Sequence, residues 1–179
     1  MPPTLKGRVR TTMKGDADFK RLLRDMGKLG SQYVAVGILE PDRTYPDSDA
    51  TLGQVALWQE YGTHDAKGFP VIPSRSFLRD PVDSAIGPIE ALKAKLLRKV
   101  QDKAITAEKG LATIGADIVR RIQTAIKKRI DPPLRPYTLK MRKKKGITGT
   151  IPLIATSFLF DNIHFAVRRF GFRDLGGGK

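Results

Sequence analysis

Tyr33-Val34-Ala35-Val36-Gly37-Ile38-Leu39 is a short, uncharged run rich in β-branched residues and closed by Glu40-Pro41, the pattern of a buried strand. Just before it, Asp16 precedes Phe19, Leu22, Leu23 and Met26, whose spacing fits one face of an amphipathic helix with Asp16 as N-cap and an end at 27–30, where Gly27 and Gly30 lie. A helix feeding into a buried strand calls for a layered α+β core. Outward from there, Leu5, Gly7, Val9 and Thr11 alternate loosely, which suits an edge strand over 5–12. His164-Phe165-Ala166-Val167-Arg168-Arg169-Phe170 alternates well enough for another strand. The fold expected is α+β: a small antiparallel or mixed sheet packed against several helices.

The helices follow from periodicity. One begins near Thr51 and ends at Gly62 as a C-cap, with Val55, Leu57, Trp58 and Tyr61 expected on the core. Gly68, Pro70 and Pro73 make 67–73 an extended loop, and a second helical region is expected from Ser74, broken by Pro81 and by Gly87-Pro88 and resuming over 89–102. The longest helix is expected over 106–130. Leu111, Ile114, Ile118, Val119, Ile122, Ala125, Ile126 and Ile130 fall in one arc of it, opposite Asp117, Arg120, Arg121, Lys127 and Lys128. Asp131-Pro132-Pro133 stops it. A basic loop is expected about 140–150, then a short helix at 158–162. This divides the chain into an N-terminal arm or edge strand at 1–14, one α+β domain at 15–172, and a flexible tail at 173–179.

Composition narrows the function classes. The 179 residues hold 33 Lys+Arg against 18 Asp+Glu, a formal charge of +15, with 40% hydrophobic residues. That apolar fraction argues for a folded chain, and no apolar run approaches the ~20 residues of a membrane helix, so a soluble protein with no membrane partner is expected. The absence of cysteine rules out disulfides, thiolate zinc sites and cysteine nucleophiles, and suits a reducing compartment. The first residues carry no apolar stretch of a secretory signal. From Lys93 to Lys145 there are 17 Lys/Arg and 4 Asp/Glu, a net +13 that leaves only +2 elsewhere. The candidate basic surface is Arg120, Arg121, Lys127, Lys128, Arg142, Lys143, Lys144 and Lys145. It is either a solvated helix face with a basic loop, or a surface for nucleic acid or an acidic partner. Only Tyr137 interleaves these charges, so contact with DNA would be to phosphates rather than stacked bases.

No catalytic pattern emerges. His64 and His164 have no partner at metal-ligand spacing. Glu60 and Asp65 flank Gly62-Thr63 as a formal carboxylate pair, but nothing adjacent supplies a nucleophile, and Glu60 is more simply a partner for Arg75 or Arg79. Ser157 lacks the glycine-flanked elbow of a hydrolase, and no phosphate-cradling glycine loop is present. The expectation is a protein that is not an enzyme, with no metal and no cofactor.

Val55-Ala56-Leu57-Trp58-Gln59-Glu60-Tyr61-Gly62-Thr63, followed by Ile72-Pro73-Ser74-Arg75-Ser76-Phe77-Leu78-Arg79, resembles the A-x-x-x-E-(F/Y)-G-T … I-P-(A/S)-R-x-F-(L/M)-R signature of tailed-phage tail-completion and neck proteins. Pro152-Leu153-Ile154-Ala155-Thr156-Ser157-Phe158-Leu159 is similar to the family's P-L-(I/V)-(D/A)-T-(G/S)-x-L segment, and Asn162-Ile163-His164-Phe165-Ala166-Val167 to the strand after it. The departures are Ser76 for a common proline, Ala155 for a common Asp and Ser157 for a common glycine.

The resemblance implies a structural virion component at the neck or upper end of the tail, assembled in the host cytoplasm. It implies a ring of this chain, hexameric like the tail, that caps the tail tube and meets the head-side connector or stopper protein while DNA passes through. Glu60, Gly62, Thr63, Pro73, Arg75, Phe77 and Arg79 are its candidate assembly interface. Forked Arg donors and apolar anchors are residue types enriched where proteins dock, yet Phe77 and Leu78 filling the core, with Arg75 paired to Glu60 inside one subunit, fits the same residues. The alternative function is a basic nucleic-acid-binding protein contacting DNA phosphates.

Overall fold

The computed structural model describes residues 16–46, 48–128 and 130–170; the arm or strand expected within 1–14 and the tail at 173–179 lie outside the described residues. In chain order the elements are α1 Asp16–Ser31, β1 Gln32–Ile38, α2 Leu52–Tyr61, β2 Thr63–His64, β3 Pro70–Ile72, α3 Arg79–Asp83, α4 Ile86–Gln101, α5 Ala107–Lys127, α6 Pro136–Lys144, α7 Phe158–Asp161 and β4 Ile163–Arg169. This is a small α+β fold with antiparallel strands.

β1 and β4 pair antiparallel, from Gln32 opposite Arg169 to Ile38 opposite Ile163. Cross-strand partners share a face, so Val34, Val36 and Ile38 stand beside Val167, Phe165 and Ile163. α5 packs across that face. Gly115 is where it comes closest: a Cβ there would lie 2.5 Å from the Phe165 ring and 2.8 Å from Val34. Thr106 caps α5 by accepting a hydrogen bond from the Lys109 amide at 3.2 Å.

Leu52 and Ala56 of α2, Phe77, Ile122 and Ile126 of α5, Leu159 of α7 and Ile163 of β4 form the main core. Ile118 and Val119 lean on it from α5, as does Ile130, which lies past the helix end. Leu111 and Ile114 instead face α4 across an apolar groove. Among the described residues no helix is long and apolar enough to cross a membrane.

Several expected details change. α1 continues through Gly27 and Gly30, because neither takes the positive φ of a glycine cap. Residues 63–72 make the short β2–β3 hairpin rather than only a loop. The region from Ser74 stays non-helical until Arg79, since its amides and side chains are bonded to α2. α4 begins at Ile86 and takes Pro88 into its first turn, where no intrahelical donor is needed. Arg142, Lys143 and Lys144 belong to α6, which Pro136 opens at its first position, so the basic loop at 140–150 is helical in its first half.

The largest change is in α2. Its buried stripe is Leu52, Ala56 and Glu60, whereas Leu57 and Tyr61 are 59% and 60% exposed and Trp58 is exposed beside them. α2 is apolar around most of its circumference, so periodicity alone does not choose the inward side. Glu60 chooses it, through the bonds described next.

Candidate assembly surface and basic face

Thr51 starts α2 with a reciprocal capping box: its hydroxyl accepts from the Gln54 amide, and the Gln54 side chain accepts from the Thr51 amide. Gly62 ends it, with φ of 78° and its amide donating to Trp58 O. A Cβ at Gly62 would meet Ile72 O at 2.8 Å and the Ser74 amide at 2.9 Å, so a side chain is excluded by both conformation and space. The chain then turns through β2 and β3 and returns along α2. Thr63 Oγ1 accepts from the Ile72 amide at 3.2 Å, and Ser74 Oγ donates to Glu60 O at 2.7 Å. Pro73 passes against Gly62 at this closest approach.

Glu60, 5% exposed, is satisfied entirely by the returning segment. Its Oε1 accepts from Ser76 Oγ at 2.7 Å and from the Arg79 amide at 3.2 Å, and its Oε2 accepts from the Leu78 amide at 3.0 Å. A buried carboxylate is tolerable only with such a set of donors. Glu60 therefore pairs with neither guanidinium. Arg79 meets it through the backbone, while the Arg79 side chain lies in the open over the Tyr61 ring, 5.7 Å from its centroid.

Arg75, 4% exposed, reaches a different part of the chain. Its amide donates to Gln59 O at 2.6 Å. Its Nε donates to Pro132 O at 2.7 Å, Nη2 to Pro133 O at 3.2 Å and Nη1 to Gln59 Oε1 at 3.3 Å. One guanidinium thus ties the end of α2 to the proline segment between α5 and α6. Phe77, next to it, is fully buried in the core. Glu60, Gly62, Thr63, Pro73, Arg75 and Phe77 form an internal latch; Arg79 stands at its exposed rim.

What the latch turns outward is apolar. Leu57 and Tyr61 of α2 border a shallow groove completed by Leu78 and Val82, and Phe69 and Val71 stand exposed on the hairpin. The charge pattern of the sequence pointed away from these residues, because apolar side chains on a helix read as core.

The basic residues divide. Asp117 holds Arg120 and Arg121, each at 2.6 Å, so these two are partly neutralised. Burial pushes the Asp117 carboxyl up, but hydrogen bonds and charge from Arg121 and Arg120 outweigh it and hold the group below its ordinary value. Lys127 lies over the Phe160 ring, and Arg142 turns inward to donate to Gly149 O and Ile151 O at 2.9 Å. Lys128, Lys143, Lys144 and Lys145 are exposed and form no ion pair with the described residues.

The formal carboxylate pair does not form a site. Glu60 is consumed by the latch, and Asp65 Oδ1 accepts from the Lys67 and Phe69 amides to shape the hairpin turn. His64 and His164 are exposed. Among the described residues no group of three or more His, Cys, Asp or Glu is placed to hold a metal. Sequence reasoning gave no site role to Gln59, Ser74, Ser76 or the Pro132 and Pro133 carbonyls, which complete the latch; the serines flanking Arg75 are the available signal.

Comparison of the chain with family models, curated proteins and solved structures finds no match.

Proposed function

We propose that this chain is a non-catalytic ring subunit of a tailed-phage virion, finishing the tail tube and presenting a docking face to the head-side connector. The observation that supports it best is the latch. Two sequence segments that resemble one signature, 55–63 and 72–79, close on each other through Glu60 and Arg75, leaving Leu57, Trp58 and Tyr61 exposed on the first of them and Phe69 and Val71 exposed on the hairpin between them. Of these, Leu57 and Tyr61 share one groove with Leu78 and Val82, and an exposed apolar groove of this kind suits a docking face. A closed ring requires heterologous contacts between two different patches of the same chain, and the α2–α3 groove supplies one of them.

On this reading the signature residues act by shape. Glu60, Arg75 and Phe77 set the angle between α2 and the returning segment; Leu57, Tyr61 and Arg79 make the contact. Light scattering of the purified chain, alone and with tail tubes, at low and high salt, tests it. A ring, or a monomer that becomes a stoichiometric ring on tube ends, is the expected result. A persistent monomer that ignores tubes overturns it.

A second reading rests on the exposed lysines of α6 and Lys128, which have no acidic partner among the described residues. They suit duplex phosphates, and binding would then weaken steeply with salt. Salt-sensitive duplex binding by a monomer that ignores tubes would promote it.

A further inference from the structure

Beside the latch, α2, β3, the 131–135 segment, α6 and the 153–159 segment enclose an open pocket of about 320 Å³. Arg75, Arg135 and Arg142 all line it, and among the described residues no Asp or Glu does. Backbone carbonyls hold these guanidinium groups: Pro132 O and Pro133 O for Arg75, Gly149 O and Ile151 O for Arg142, and Pro70 O, at 2.9 Å, for Arg135. A neutral acceptor fixes the direction of a guanidinium without cancelling its charge. Three cations therefore share one hollow without a counter-charge among the described residues. Burial lowers the pKa of Arg75, and the charges of Arg135 and Arg142 lower it further.

Donors remain. Arg135 uses only Nη2 and Arg142 only Nη1, so Nε and the other Nη of each are unengaged by the described residues. Tyr45 also lines the pocket, and burial pushes its hydroxyl up to about 12. The rest of the wall includes Val55, Leu153 and Leu159. Arg75 is too deeply buried for a duplex backbone to reach, whereas a small group can enter.

We propose that this pocket binds a carboxylate carried on an apolar body, with its oxygens on Arg135 and Arg142 and its carbon skeleton against Val55, Leu153 and Leu159. Forked guanidinium donors match the two oxygens of a carboxylate, and the apolar wall selects against a bare inorganic anion. The carboxylate can belong to a free aliphatic acid or to the C-terminal residue of a peptide; both present the same chemistry. The inference does not rest on ring formation, although Val71 of the exposed apolar surface also lines the pocket.

The test is titration of the full chain at constant ionic strength with hexanoate, hexanamide, inorganic phosphate, N-acetyl-leucine and its amide, read at the arginine Nε–H resonances. Expected are saturable shifts of Arg135 and Arg142 with the carboxylates, at least tenfold tighter than with the matched amides or phosphate. Arg135→Gln, at an exposed position that leaves the core untouched, should weaken binding at least fivefold with an unchanged thermal midpoint. Tighter hexanoate assigns the site to free acids and tighter N-acetyl-leucine to chain ends; either supports the proposal. Acids and amides behaving alike, phosphate binding as tightly as hexanoate, or Arg135→Gln binding like the parent overturns it.

Discussion

The Glu60 carboxylate accepts the Ser76 hydroxyl at 2.7 Å, a contact that fixes the exit of α2 against the segment leading into α3. The same carboxylate takes the Leu78 and Arg79 amides, so removing it strands three partly buried donors. Glu60→Ala should cost about 2–4 kcal/mol, since each unsatisfied buried group costs about 1–3 kcal/mol. Glu60→Gln should cost less, because its one carbonyl oxygen still accepts. Urea denaturation of the two variants measures this; equal losses would argue that charge, not hydrogen bonding, dominates.

Arg75→Lys should be nearly as damaging as Arg75→Ala. A lysine has one nitrogen and cannot reach Gln59, Pro132 and Pro133 in the directions a planar fork does. Both variants should also speed limited proteolysis at 131–135, which Arg75 anchors. Protection matching the parent's in Arg75→Lys would show that a single point charge suffices.

The orientation of α2 makes a paired prediction. Leu57→Ala, at an exposed site, should change stability by no more than about 0.5 kcal/mol. Ala56→Leu, one residue earlier and buried, overpacks the core and should cost about 1–3 kcal/mol. Thermal unfolding distinguishes them, and the reverse ranking would put the wrong side of α2 on the core. Under the proposed ring function, Leu57→Asp should abolish the ring expected in light scattering while leaving the fold intact.

Gly115→Val places a branched side chain against Phe165 and Val34 where α5 crosses the sheet. The helix and the strands must separate, at a cost of about 1–3 kcal/mol or more. Chemical shifts of β1 and β4 should move together in this variant; changes confined to α5 would show that the helix alone adapts.

Asp117 gives the pH dependence. Its folded-state pKa is held below the unfolded value, so its contribution is present above the unfolded carboxyl range and is lost as pH falls through the folded pKa. Arg120 is largely exposed, which screens the pair and limits the effect to about 0.5–1 kcal/mol. Asp117→Asn should lower stability near neutral pH and match the parent in strong acid.

Much of this architecture was legible in local patterns. β1 is legible as an uncharged β-branched run and β4 by alternation, α2 starts near Thr51 and ends at the Gly62 cap as expected, and most of the apolar arc of α5 lies on the core and the α4 groove. What escaped was tertiary. No periodicity distinguishes Leu57 from Ala56 when both are apolar, and a glutamate is ordinarily assigned to solvent. Glu60 is buried because donors from residues far along the chain converge on it. Arg142 was likewise read as surface charge, although carbonyls of the following turn draw it inward. The expected pairing of Glu60 with Arg75 had the right two residues but the wrong partners.

The central sheet joins β1, near one end of the described chain, to β4, near the other, with nearly every other element between them. Closing so long an intervening segment raises the entropic cost before any strand contact compensates it, and pairings of high sequence separation fold slowly. During synthesis, β1 emerges well before β4 and waits without that partner until β4 leaves the ribosome. Its β-branched edge is exposed to association throughout that interval, so a nascent chain of this protein is vulnerable to aggregation until β4 pairs with β1.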